Sequence, residues 1–294
     1  MPKTIFDDTK IKNMTLKNRI IRAAIGDHYC NDGHYSQKDF EVYEQLAKGG
    51  VGTIITGYAY VFDYPMFKAV GMFGIYDDSF IPEYKKLTDM VHKNNANIVL
   101  QIVHCGSYVY DNYEKIYAPS AILNLNTQKM PTMMAINDIK RIENDFILAS
   151  SRAKESGFDG IEIHAGHGFL LSQFLTPYYN KRNDEYGGNI ENRARMLVEI
   201  IKGVKEKCGK DFPVFVKINC QDGIKEGISE DDFLTVCKML ENNGADLIEV
   251  TGNWLEFKQK TPYFLEQTKN PQKVLIFLLA LWAESETLKI WIKF

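Results

Sequence analysis

Short apolar runs rich in β-branched residues alternate with longer amphipathic segments along most of this chain, and no other feature limits the fold so strongly. The strand candidates are Arg19–Ala24, Val51–Gly57, Asn97–Val103, Gly160–Ile163, Pro213–Ile218 and Leu247–Thr251. Runs such as VGTIITG and NIVLQIV are almost wholly apolar, as in strands buried on both faces. Between them lie helix candidates at Ser36–Lys48, Ile81–Lys93, Ile136–Ser156, Asn189–Lys207 and Ser229–Asn243. The first of these spaces Phe40, Tyr43, Leu46 and Ala47 at i, i+3, i+6 and i+7, with Ser36 as N-cap and Gly49 and Gly50 as the stop. Asn137 or Asp138 is the expected cap of the third helix, and Ser229 followed by Asp232 opens the last in the manner of a capping box. Such alternation calls for a parallel sheet with right-handed crossovers. No Pro/Ser-rich linker interrupts it. The expected fold is therefore α/β: a TIM (β/α)8-type barrel, incomplete at the C-terminus, with about six β/α units.

Composition narrows the class. The 294 residues suit one large barrel, and 45% hydrophobic with 25% charged residues is ordinary for a soluble globular chain. Disorder and a disulfide-stapled mini-protein are excluded. A net charge of −3 gives no footing for nucleic acid. Cys30, Cys105, Cys208, Cys220 and Cys237 form no CxxC pair, so they are expected as reduced thiols of a cytoplasmic protein. Met1–Lys12 has no signal-like apolar core, and the longest apolar run, Val274–Ala283, is shorter than the ~20 residues of a spanning helix. No membrane partner is expected, the partner is a small-molecule substrate, and an oligomer is possible.

Chemistry in such barrels sits on the loops that follow the strands. Strand one ends in Ala23–Gly26 and strand two in Thr56 and Gly57. Strand three carries Gln101 and runs into His104 and Cys105; strand four runs from Glu162 through His164 and His167 to Phe169; strand five carries Lys217 and Asn219. A histidine near a strand end is more often simply hydrogen-bonded than functional. His164 and His167 could ligate a metal, but no inward-facing Asp, Glu or Cys stands ready to complete a shell, so no metal is expected. No G-x-G-x-x-G follows a strand and no G-x-S-x-G elbow is present.

The stretch Phe158–Arg193, FDGIEIHAGHGFLLSQFLTPYYNKRNDEYGGNIENR, resembles the signature of the old yellow enzyme family of NAD(P)H:flavin oxidoreductases, on the side of 2,4-dienoyl-CoA and 2-enoate reductases. Leu16–Arg19, Leu46–Gly52, Gln101–His104, Pro119-Ser120 and Pro213–Asn219 with Asp222-Gly223 match in the same order, so the resemblance spans about residues 4–253. It implies FMN at the C-terminal mouth of the barrel, with NADH or NADPH as co-substrate and an activated alkene as acceptor. It further implies that Ala24, Gly57, Gln101 and Lys217 bind the cofactor: Gln101 as an amide that donates and accepts at the flavin pyrimidine edge, Lys217 as a cation near N1/O2, and the small Ala24 and Gly57 where backbone meets the ring. His164 and His167 are the implied catalytic pair, hydrogen-bonding the substrate carbonyl oxygen, with Phe169 beside them in the substrate site. The Asn180–Gly188 run is expected to build loops.

Three features depart from the family's pattern. Phe169 stands where relatives carry a tyrosine that protonates the α-carbon, and Phe has no proton to give. Gly26 stands near the Thr or Cys that relatives place against the flavin. The family also continues through two further units that supply the phosphate loops. Here residues 1–273 read as a partial barrel and residues 274–294 as an atypical tail. Back-translation of Leu281–Phe294 in a shifted frame permits a Met-Gly-Gly-Ile-Arg-Asn string, so the tail is expected to be frameshifted. Alternatively Lys273–Ala283 is a true strand or helix of a short form. Two functions follow as expectations: an FMN-dependent ene-reductase, or a truncated inactive relative that does not hold FMN.

Overall fold

The computed structural model describes residues 4–63, 71–110, 115–252 and 278–281. Its main sheet contains β1 (Ile21–Arg22), β2 (Thr53–Ile55), β3 (Asn97–Val103), β4 (Gly160–Ala165), β5 (Val214–Gln221), β6 (Leu247–Gly252) and β7 (Leu278–Leu281). These seven pair in chain order, every neighbour parallel, from β1 at one edge to β7 at the other. Helices α1 (Gln37–Lys48), α2 (Ile81–Lys93), α3 (Ile136–Glu155), α4 (Leu170–Leu175), α5 (Ile190–Arg193), α6 (Arg195–Cys208) and α7 (Glu230–Asn242) fill the crossovers. The expected α/β barrel architecture is present. β7 lies inside the segment read as an atypical tail, aligned from Leu247↔Leu278 to Val250↔Leu281. The other residues of that tail lie outside the described residues.

Alternate residues of each strand face different neighbours, which is why continuous apolar runs form these strands. Ile98, Leu100 and Ile102 of β3, with Ile161 and Ile163 of β4 and Val214, Val216 and Ile218 of β5, join the helices in the larger core. Val99, Phe215 and Leu247 face the other way, into the barrel, with Ile55. There they meet Ile11, Met14 and Leu16 of an N-terminal hairpin (Thr9–Ile11 with Met14–Leu16), which plugs the N-terminal end of the barrel.

The helix ends follow local chemistry. Ser36 and Asp39 form a full capping box at α1, and Ser229 Oγ accepts the Asp232 N–H at 3.1 Å at α7. At α3 the cap position is Ala135 rather than Asn137 or Asp138. Asp138 serves from the third helical position, its carboxylate accepting the Ala135 N–H at 3.0 Å. The single helix expected over Asn189–Lys207 is two, α5 and α6, meeting at Ala194. β1 is shorter than Arg19–Ala24, because beyond Arg22 the chain leaves the ladder to cross Gly57; a Cβ at Gly57 would stand 2.8 Å from Ile25 O.

Candidate active site

The barrel interior changes character from bottom to top. Parallel-barrel interiors are ordinarily filled by branched aliphatic side chains. Above the apolar plug, the next inward positions hold Gln101, Glu162, Lys217 and Glu249, all essentially excluded from solvent. The register accounts for the layer: Glu162 lies opposite Gln101, and Lys217 lies opposite Glu249. Gln101 Nε2 donates to Glu162 Oε1 at 2.7 Å, and Lys217 Nζ lies 2.8 Å from Glu249 Oε1. Two inward-facing glutamates are thus present where none was expected. Each stands two residues before another inward residue, His164 or Thr251, so the strand period of two carries the signal.

The next level holds His164, His167, Asn219 and Thr251. His164 Nδ1 accepts the Gly166 N–H at 3.1 Å. A neutral ring whose Nδ1 accepts carries its proton on Nε2, so His164 is fixed as an Nε2–H donor. Burial, then His167 and Lys217, hold its pKa well below the usual imidazole range. Burial and Lys217 lower that of His167 to about 3. Both rings are therefore neutral near pH 7. They stand 4.9 Å apart at 74°.

His167 has φ +55°, the left-handed region that a non-glycine residue adopts at a cost. Its N–H donates to Asn219 Oδ1 at 3.0 Å, and its Nε2 lies 2.9 Å from Thr251 Oγ1. Asn219 Nδ2 in turn donates to Asp222 Oδ1 at 2.9 Å, while Thr176 Oγ1 and Ile228 N donate to Asp222 Oδ2. A buried carboxylate therefore orients the amide that holds the His167 backbone. α4, which periodicity did not reveal, ties the loops together: Gln173 Oε1 accepts the Ser107 N–H at 3.1 Å and Gln173 Nε2 donates to Gly168 O at 2.6 Å.

Phe169 packs its ring against His164 at 4.9 Å, Tyr108 at 5.3 Å and Tyr58 at 5.8 Å. His104 joins the same mouth, its Nδ1 accepting the Gly106 N–H at 3.1 Å, and burial lowers its pKa to about 4. On the β1 side, Arg22 binds Asp27 at 2.8 Å and Ile55 O at 2.9 Å. Tyr43 Oη donates to Asp27 Oδ2 at 2.8 Å and accepts the Gly57 N–H at 2.9 Å. This network fixes the Ala24 and Gly57 backbones relative to each other. Ala24 itself lines the apolar layer below.

The Asn180–Gly188 run builds loops. Arg182 donates to Pro119 O and Met134 O at 2.8 and 2.7 Å and pairs with Asp184 at 2.6 Å. Just beyond the run, Arg193 ties Leu175 O, Gly188 O and Asp232 together. All five cysteines are free and buried. No described helix is long and apolar enough to cross a membrane.

A sequence model of the NADH:flavin oxidoreductase / NADH oxidase family matches residues 4–278. An NADPH dehydrogenase of Bacillus subtilis is 36% identical over 258 residues, covering 87% of this chain and 75% of that protein. Other relatives are longer: the chain spans 38% and 42% of the length of two of them. Among solved structures, a 2-naphthoyl-CoA reductase complex superposes with a TM-score of 0.86 at 28% identity, over 94% of this chain and 46% of that one. An old yellow enzyme homologue from Zymomonas mobilis has the same fold, with a TM-score of 0.81 at 23% identity over 96% of this chain and 82% of that one. The sequence match and the shared barrel agree: the chain belongs to the NADH:flavin oxidoreductase / NADH oxidase family, the old yellow enzymes.

Proposed function

We propose that this chain is an FMN-dependent oxidoreductase that uses NADH or NADPH to reduce an activated alkene: an enone, an enoate or an enoyl thioester. The observation that carries the reading is His164, a buried neutral ring locked as an Nε2–H donor beside His167. Such a donor suits a carbonyl oxygen that gains charge as its conjugated alkene is reduced.

The layer beneath fits a flavin. A carboxamide on β3 and an ammonium on β5, both buried, flank β4 below the mouth. Gln101 can give and accept hydrogen bonds at a pyrimidine edge, and Lys217 can balance negative charge gained on reduction. Ala24 and Gly57 would hold the ring by backbone, positioned by the Arg22–Asp27–Tyr43 network. When bound, FMN would supply the relay of a hydride from the nicotinamide to the alkene. His164 and His167 would bind and polarise the acceptor, and Phe169, edge-on to His164, would pack against it.

Phe169 supplies no proton, so the α-carbon proton must come from another group or from solvent. Of the described tyrosines, Tyr58 and Tyr108 pack closest to Phe169. Burial pushes both phenols up, which keeps them protonated. The 2-naphthoyl-CoA reductase likeness favours a thioester among the acceptors. The reading is tested by the visible spectrum of the purified chain after desalting and again after FMN is added. A flavin band retained through a second desalting supports it. A colourless chain that takes up no FMN favours the inactive relative.

A further inference from the structure

The middle layer of the barrel places two carboxylates, Glu162 and Glu249, against one ammonium, Lys217, with none of the three reaching solvent. Glu249 is the partner of Lys217 at 2.8 Å. Glu162 instead receives Gln101 Nε2 on Oε1. Glu162 Oε2 and Glu249 Oε2 are buried and receive a hydrogen bond from no described residue. The two carboxyl groups lie within hydrogen-bonding reach of each other. Two ionised carboxylates so placed would leave the interior with an uncompensated negative charge and two idle acceptors in contact, an arrangement of high cost. One proton removes both problems.

We propose that Glu162 is a neutral carboxylic acid in the native protein, its proton bridging to the Glu249 carboxylate, which is in turn paired with Lys217. The chain of contacts then closes without a missing partner: Gln101 N–H to Glu162 C=O, Glu162 O–H to the Glu249 carboxylate, and Glu249 against the Lys217 ammonium. Burial and the neighbouring Glu249 both push the Glu162 carboxyl up, in the same direction. Among the described residues, the other titratable groups beside the layer are His164 and His167 one step above, both held neutral by burial and by Lys217. β3 contributes the amide of Gln101. Glu162 is thereby a positioning residue: it engages one amide N–H of Gln101 and so fixes the orientation of that carboxamide. The inference does not depend on which cofactor or acceptor the mouth takes.

The test uses the full chain without added cofactor. The infrared spectrum of the wild type minus that of Glu162→Gln should contain a protonated-carboxyl C=O band that shifts in D2O. Gln reproduces both hydrogen bonds of the neutral acid, so this variant should fold. A second readout follows from linkage. An acid that keeps its proton when folded but loses it when unfolded weakens the wild type as pH rises above the unfolded value of about 4.3. The folding equilibrium of Glu162→Gln should therefore gain on the wild type by about tenfold per pH unit between about pH 5 and the native pKa of Glu162. The absence of an acid band in the wild type, or a variant-to-wild-type ratio independent of pH, overturns the proposal. Should Glu162→Gln fail to fold, the D2O-sensitive band of the wild type decides alone, and its absence again overturns it.

Discussion

The backbone N–H of Gly166 donates to Nδ1 of His164 at 3.1 Å, and that bond decides which nitrogen of the ring can serve a ligand. Because an amide can only donate, the ring must accept there and carry its proton on Nε2. The donor that the proposed chemistry needs is thus set by the main chain of the loop that follows β4.

Removing this donor should be felt first in ligand binding. His164→Ala is expected to weaken binding of a phenol or a cyclic enone by about ten- to a hundredfold, the loss of one hydrogen bond at a buried site. The check is titration of the bound flavin's absorbance by a phenol. An unchanged dissociation constant would remove His164 from the site.

The histidine pair also sets a pH dependence of stability. His167 has its pKa lowered to about 3, against about 6.5 when unfolded. A lowered native value means the unfolded chain binds the proton first. The stability held above about pH 6.5 is lost as pH falls toward 3. Thermal unfolding from pH 7 to pH 4 should show Tm falling, and falling less steeply in His167→Asn. Parallel slopes in the two proteins would contradict the burial of a neutral ring.

Lys217 and Glu249 make a fully buried ion pair, their side chains 1% and 2% exposed. Removing one partner strands the other in a low-dielectric interior, at a cost of about 3–5 kcal/mol. Lys217→Met is expected to destabilise by that order, and Lys217→Met with Glu249→Met to recover most of it. Denaturant titration of both variants measures this. Equal losses in single and double variants would show that the pair is not coupled.

Structure is most legible in the sequence where one physical rule acts alone. β3 is legible to the residue as Asn97–Val103, because both faces of that strand are buried and Gln101 alone interrupts the apolar run from Ile98 to Val103. The polar residues of the mouth, Gln101, His164, His167 and Lys217, were legible as residues at strand ends, and the structure brings them into adjoining layers. Glu162 and Glu249 were not read as inward. A charged residue in a strand normally faces water, and only the count of two from His164 and Thr251 turns each of them into the barrel. α4 escaped because six residues, all buried, present no amphipathic face. The break at Ala194 escaped because alanine favours helix, while the Arg193 side chain is drawn to Leu175 O and Gly188 O by contacts far along the chain.

Phe169 gives the proposed reaction a specific weakness. Its ring lies 4.9 Å from that of His164 and carries no exchangeable proton. Phe169→Tyr is expected to raise the rate of alkene reduction severalfold to about a hundredfold, the range of general acid catalysis at its lower end, with reduction of the flavin by NAD(P)H unchanged. Stopped-flow measurement of the two half-reactions separates these effects. Equal alkene rates in the two proteins would place proton delivery elsewhere in the site, with Tyr58 and Tyr108 the next to replace.

The central claim is that this mouth couples a nicotinamide to an activated alkene through FMN. The most direct measurement is anaerobic: the FMN-loaded chain is bleached with NADH or NADPH, desalted, and mixed with a cyclic enone or an enoyl thioester while the flavin absorbance is followed. The account predicts bleaching by at least one nicotinamide and full return of the absorbance on addition of the alkene, with one saturated product formed per flavin. Flavin that bleaches but stays reduced with every enone, enoate and enoyl thioester offered, or a chain that cannot be loaded with FMN, would contradict it.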